Sequence, residues 1–149
     1  MARISAVVIA IDVYTKHLIQ QAFQYGEHVQ ITSFFDLVRY HNEGAAFSFL
    51  ANQGGWQHFF FTAIAVVASA VMIYLLRKHT EQKLFCFAIA LVLGGALGNL
   101  YDRLTLGYVV DFLFFHYQIY YWPAFNVADS AITGGVALLF LDSFKKPSI

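Results

Sequence analysis

Gly94-Gly95-Ala96-Leu97-Gly98-Asn99-Leu100-Tyr101-Asp102-Arg103 closes one apolar run of this chain, and Phe125-Asn126-Val127-Ala128-Asp129 opens another. Between them stands Gly107-Tyr108-Val109-Val110-Asp111-Phe112. Three acids, two amides and an arginine therefore collect where apolar segments end. Ionisable groups at membrane depth are costly unless they are paired or face water, so such a cluster is a functional suspect by default. Two aspartates near one bilayer face have the makings of water-activated hydrolysis.

Working outward, the flanking runs have spanning length, which is roughly 20 apolar residues. Residues 59–76 carry no charge; residues 84–101 carry none, with Asn99 near their end. Residues 127–144 are interrupted only by Asp129 and Asp142 near their ends. A fourth stretch, residues 2–20, is broken by Asp12 and Lys16 and reads as a short or tilted first span. Its apolar core is too short for a secretory leader, and no small-x-small cleavage site follows. Only 12% of the 149 residues are charged, about half the share of a soluble domain, while 59% are hydrophobic. The fold predicted is an all-α membrane protein of four transmembrane helices in a single domain, residues 1–149.

Net charge is zero, which leaves no electrostatic footprint for nucleic acid. Basic residues orient the bundle. Arg3, Arg77, Lys78, Lys83, Lys145 and Lys146 fall on one side, and Lys16, Arg39 and Arg103 on the other. The positive-inside rule then puts both termini and the loop at 77–83 in the cytoplasm. The two long connections face outward with interfacial aromatics, Trp56, Tyr117, Tyr120, Tyr121 and Trp122 among them. Within the first, residues 28–40 suggest two short strands lying on the membrane surface, and residues 44–50 a short interfacial helix before Gly54-Gly55. Residues 108–112 read as a further strand.

Each polar residue has two readings. Asn126 and Asp129 match a capping box at the start of the last span; an acid there is also held ionised by the helix dipole and left accessible by small neighbours. Asp111, flanked by valines and phenylalanines, is either a solvated strand residue or a carboxyl with a raised pKa. If the two aspartates meet, their environments separate them into an acid and a base. Asn99, Asp102 and Arg103 share a helical face, either as an Asp–Arg pair closing the helix or as contacts to substrate and oxyanion. Gly94-x-x-x-Gly98 is a close-packing motif, with Gly134-Gly135 as its expected partner surface. Gly44 permits a tight backbone approach beside Asn42, whose amide can donate to an oxyanion; an ordinary turn reads the same. Cys86 is a small packed hydrophobe. The six histidines show no zinc-peptidase spacing, and no Ser-x-x-Lys or G-x-S-x-G element is present.

Taken together, Asn42-x-Gly44-Ala45-Ala46-Phe47-Ser48-Phe49-Leu50, Gly94-Gly95-Ala96-Leu97-Gly98-Asn99-x-x-Asp102-Arg103, Gly107-x-Val109-Val110-Asp111 and Phe125-Asn126-x-Ala128-Asp129 resemble the lipoprotein signal peptidase family, also called signal peptidase II. The motifs run in order along nearly the whole chain. The resemblance implies a four-helix aspartyl endopeptidase of the bacterial inner membrane, with a small periplasmic β-sheet platform and a short interfacial helix. Its activity is removal of the signal peptide from diacylglyceryl-modified prolipoproteins, just before the lipidated cysteine. Asp111 and Asp129 map onto the family's catalytic pair. Asn42, Gly44, Asn99, Arg103 and Asn126 map onto substrate-binding or transition-state support, and Asp12, Lys16 and Asp102 onto structural polar support. No metal and no cofactor is expected; the expected partners are the prolipoprotein and membrane lipid, and the expected state a monomer. Val13 stands where many members carry glutamine. The rival expectation is a small proton-coupled transporter using intramembrane acids.

Overall fold

The computed structural model describes residues 1–44 and 55–144. Helix α1 spans Ala2–Ala22, strands β1 His28–Gln30 and β2 Phe35–Asn42, helices α2 Trp56–Lys78 and α3 Lys83–Leu106, strands β3 Val109–Tyr117 and β4 Tyr120–Tyr121, and helix α4 Val127–Ser143. Among the described residues these make four helices and a four-stranded antiparallel sheet of order β1-β2-β3-β4. By length and composition α2 and α3 are able to cross a membrane. Helix α4 is 17 residues long, about 26 Å at 1.5 Å per residue. The interfacial helix expected at 44–50 lies outside the described residues apart from Gly44.

Helix α3 is the centre of the bundle and packs against the other three. Close approach is made by glycines, though with a different pairing from that expected. A Cβ on Gly94 would stand 2.7 Å from Cβ of Val8, and one on Gly98 2.6 Å from Oδ2 of Asp12, so the Gly94/Gly98 stripe faces α1. A Cβ on Gly95 would collide with the Ala128 carbonyl of α4, while one on Gly135 would lie 2.7 Å from the Ala88 carbonyl of α3. Gly134 meets nothing. Helices α3 and α4 thus mate through one glycine from each. Gly95→Ala should destabilise the protein by about 1–3 kcal/mol through overpacking. Thermal unfolding in detergent checks this, and an unchanged midpoint would count against the tight α3–α4 seam.

Local chemistry sets the ends. Gly107 takes a left-handed φ of 83° and its N–H reaches the Arg103 carbonyl at 3.2 Å, stopping α3 at Leu106. The third apolar run therefore continues past residue 101, and Asn99, Asp102 and Arg103 all lie on helix. Arg39 of β2 donates through Nη1 to the Gln20 and Phe23 carbonyls at 3.2 and 2.7 Å, capping the end of α1.

Strand β3 is longer than the sequence suggests. It continues through Phe114, Phe115 and His116, then turns at Gln118, in the left-handed region with φ 54°, into β4. Ile19, Val110 and Phe112 form a core between α1 and the sheet. On the sheet, Asp36 of β2 holds His116 of β3 at 3.1 Å and His28 of β1 at 3.7 Å, and His28 in turn contacts the Tyr40 hydroxyl. The chain before α4 is pinned to β3. The Phe112 and Leu113 N–H groups donate to the Phe125 carbonyl at 3.0 and 2.9 Å, and the Phe125 N–H donates back to Leu113 at 3.0 Å. This pairing carries Asn126 and Asp129 to the side of Asp111.

Candidate active site

Asp111 sits on β3 opposite Tyr40 and is buried. Its Oδ1 accepts from Asn126 Nδ2 at 2.9 Å and its Oδ2 from Asn42 Nδ2 at 3.3 Å. Burial pushes its carboxyl up from 3.8 to about 7, and the neighbouring charge of Asp129 adds to the effect; the amide donors and Lys16 pull the other way. Asn42 is held in turn by the Gly44 N–H, which donates to its Oδ1 at 2.9 Å. Gly44 has φ 104°, a conformation that favours glycine, and a Cβ there would strike the Phe61 ring.

Asp129 occupies the third position of α4. Its N–H donates to Asn126 Oδ1 at 2.9 Å, and its Oδ2 accepts from the Asn126 N–H at 3.3 Å, a complete capping box. Its other oxygen, Oδ1, accepts from Asn99 Nδ2 at 2.8 Å. The local reading and the site reading thus coexist, since one carboxylate caps the helix and faces the cluster. Asn126 joins the two aspartates directly, because its backbone and Oδ1 hold Asp129 while its Nδ2 holds Asp111. It is fully buried, and Nδ2 also lies 3.2 Å from Asn99 Oδ1 and 3.3 Å from the Val110 carbonyl.

Behind this pair lies a buried ammonium. Lys16 Nζ is 2.7 Å from Asp12 Oδ2, 3.1 Å from Asp102 Oδ2 and 3.0 Å from Asn99 Oδ1. All four side chains are buried, Asp12 and Lys16 almost completely. The expected Asp102–Arg103 pair is not what forms. Asp102 turns inward to Lys16 because a buried carboxylate needs a charge partner, and α1 supplies one. Arg103 instead lies with its guanidinium 5.9 Å from the Phe61 ring centroid, and its Nε has no hydrogen-bond partner among the described residues.

Two hollows flank the aspartates and share Pro123 and Ala124 as a wall. On the Asp111 side is a cavity of about 420 Å³ with Tyr40, His41, Asn42, Glu43, Gln57 and His58 in its lining. On the Asp129 side is a groove of about 550 Å³ lined mainly by apolar groups of Trp122, Phe125, Ser130 and Thr133. The spacing of the histidines speaks only against a zinc peptidase and does not single out His41 or His58, which line this cavity. Only the β2–β3 register and the position of α2 bring them to the cavity that Asp111 also lines, and neither is a local signal.

Apolar helices with carboxylates and amides gathered at one end are the framework of a functional membrane site, and the known proteins it resembles are enzymes. Two solved structures described as bacterial membrane enzymes, at 1.9 and 2.3 Å resolution, superpose with TM-scores of 0.85 and 0.84 at 32% and 31% identity. The alignments cover 96% and 98% of this chain and 91% of each of those chains. The model of the signal peptidase (SPase) II family matches residues 4–145, and the chain belongs to that family of aspartic peptidases. It is 54% identical over 143 residues to the lipoprotein signal peptidase of Paraburkholderia phytofirmans, covering 96% of this chain and 83% of that one. It is 56% identical over 138 residues to that of Ralstonia nicotianae, covering 93% and 80%.

Proposed function

We propose that this chain removes the signal peptide from diacylglyceryl-modified prolipoproteins, cleaving before the lipidated cysteine, with Asp111 and Asp129 as the catalytic pair. The observation that carries this reading is that one fully buried asparagine, Asn126, is bonded to both aspartates. Asp129, at the helix N-terminus, takes a proton from water, and the resulting hydroxide attacks the scissile carbonyl carbon. Asp111, protonated in its buried setting, polarises the carbonyl oxygen. As the tetrahedral species collapses, the carbon–nitrogen bond breaks and a proton passes to the leaving amine, freeing the cysteine's new amino group. Asn42 and Arg103, whose Nε is unpartnered among the described residues, are suited to the oxyanion.

Four spans, cytoplasmic termini and a periplasmic site complete the proposal. The basic residues support that orientation, and lipid around the outward faces of α2 accommodates its exposed apolar side chains. The polar cavity suits the peptide following the cysteine, and the apolar groove suits apolar substrate. Family membership gives the transport alternative no support. The enzyme acts as a monomer in lipid.

The decisive assay is cleavage of a diacylglyceryl-modified prolipoprotein by the purified protein, with Asp129→Asn and a chelator as controls. Cleavage that survives the chelator and is lost in the variant is expected; loss with the chelator alone would sink the aspartyl mechanism. The pH profile adds an independent check. Because Asp111 must carry a proton, activity should fall as pH rises through about 7, the value to which burial lifts it. A rate constant flat from pH 6 to pH 9 would remove Asp111 from the acid's role.

A further inference from the structure

The hub behind the aspartates is connected to the backbone at two matched places. Asp12 Oδ1 accepts from the Ala128 N–H at 2.8 Å, one residue before Asp129. Asp102 Oδ2 accepts from the Val110 N–H at 3.0 Å, one residue before Asp111. Lys16 Nζ binds both of those carboxylates and also Asn99 Oδ1, while the other end of Asn99 donates to Asp129. One ammonium on α1 therefore reaches α4 by two routes and β3 by one. The peptide groups it anchors through Asp12 and Asp102 fix where the next side chains begin.

We infer that Lys16 is the positioning residue of the catalytic pair: its charge holds Asp12, Asp102 and Asn99 so that Asp111 and Asp129 face the same substrate bond. The inference rests on the reading of Asp111 and Asp129 as catalytic. Asp12 and Asp102, which share the one ammonium at 2.7 and 3.1 Å, repel each other and, buried without that cation, would move apart or take up a proton. Either response releases the Ala128 or the Val110 N–H. The charged groups that act on Lys16 are Asp12 on α1 itself, Asp102 on α3 and Asp111 on β3. Asp129 on α4 is reached through Asn99, and Arg103 on α3 lies in the field of Asp102, Asp111 and Asp129. Lys16 does not touch substrate; it acts through the groups it binds.

A purely structural lysine and a positioning lysine differ in kinetics. Lys16→Gln keeps a donor but loses the charge. The double variant Lys16→Met with Asp12→Asn loses the charge, keeps an acceptor for the Ala128 N–H and retains the wild-type hub charge of one negative. Either variant that folds serves, with unfolding temperature reported alongside rates on diacylglyceryl-modified prolipoprotein. Expected is a kcat lowered about 10- to 100-fold with KM unchanged, as for reacting groups displaced by an ångström or less. In Lys16→Gln the descending limb of the pH profile should also move upward, since the cation that favours ionised Asp111 is gone and no acid is removed with it. Wild-type kcat and an unmoved limb in a folded variant would overturn the inference and leave the catalytic pair standing. If both variants fail to fold, the lysine is a stability element and the inference is likewise overturned. Wild-type protein that does not cleave would instead overturn the function beneath it.

Discussion

Asp111→Asn is expected to abolish cleavage and yet yield a protein that unfolds at a higher temperature. The rate loss follows from removing the proton donor, at least about 10³-fold if the carboxyl supplies both polarisation and proton. The stability gain follows from linkage. The folded-state pKa of Asp111 lies above its unfolded value of 3.8, at about 7, so the folded state binds the proton more tightly. Stability is then lost as pH rises between those values, and above about 7 the whole cost is present. Three pKa units correspond to roughly 4 kcal/mol. Asparagine removes that cost, but its NH₂ group meets the NH₂ of either Asn42 or Asn126, and one hydrogen bond is forfeited. A net gain of about 1–2 kcal/mol remains at pH 8. Asp129→Asn should also abolish cleavage but without the gain, since its carboxylate is satisfied by Asn99 and by the cap. Asp36→Asn, on the sheet and engaged with histidines, should cleave normally. Substantial cleavage by either catalytic variant would end the assignment. An Asp111→Asn protein less stable than wild type at pH 8 would end the linkage argument.

Much of this was readable from residues because membrane proteins separate polar from apolar so sharply. Uncharged runs marked α2 and α3, and acids at their edges stood out against so little competing charge. Asn126 and Asp129 announced a helix start through a purely local rule. What failed locally was whatever depended on a distant partner. Asp12 and Lys16 looked like interruptions of a weak span, whereas Asp102 and Asn99, more than 80 residues away, make them the buried centre of the site. Asp102 and Arg103 looked like an ion pair because they share a helical face, but the buried Asp102 carboxylate takes its cation from α1, a partner that no local pattern shows. Strand β3 was read too short because Phe114 and Phe115 are apolar on both faces and carry no alternation. The glycine pairing was misassigned for a similar reason: a small-xxx-small stripe shows that a helix approaches closely, not which helix.

Asn126→Ala should be the most damaging change to a residue that neither donates nor accepts the transferred protons. Three losses coincide. The capping side chain that accepts from the Asp129 N–H disappears, which costs about 1 kcal/mol. Asp111 Oδ1, already buried, loses its 2.9 Å donor, and a buried acceptor left unpaired costs roughly 1–3 kcal/mol. The Val110 carbonyl and Asn99 Oδ1 lose the same amide group. Together these predict about 2–4 kcal/mol of destabilisation and a cleavage rate down by two or more orders of magnitude. Asn126→Asp separates the parts. Its carboxylate can still cap α4, but it offers no donor to Asp111 and sets a third negative charge between two others. It should therefore keep the helix start and lose the catalysis, with the Asp111 proton held to higher pH than in wild type. If Asn126→Asp instead cleaves as wild type does, the asparagine is only a cap, and the link between the two aspartates has no part in the chemistry.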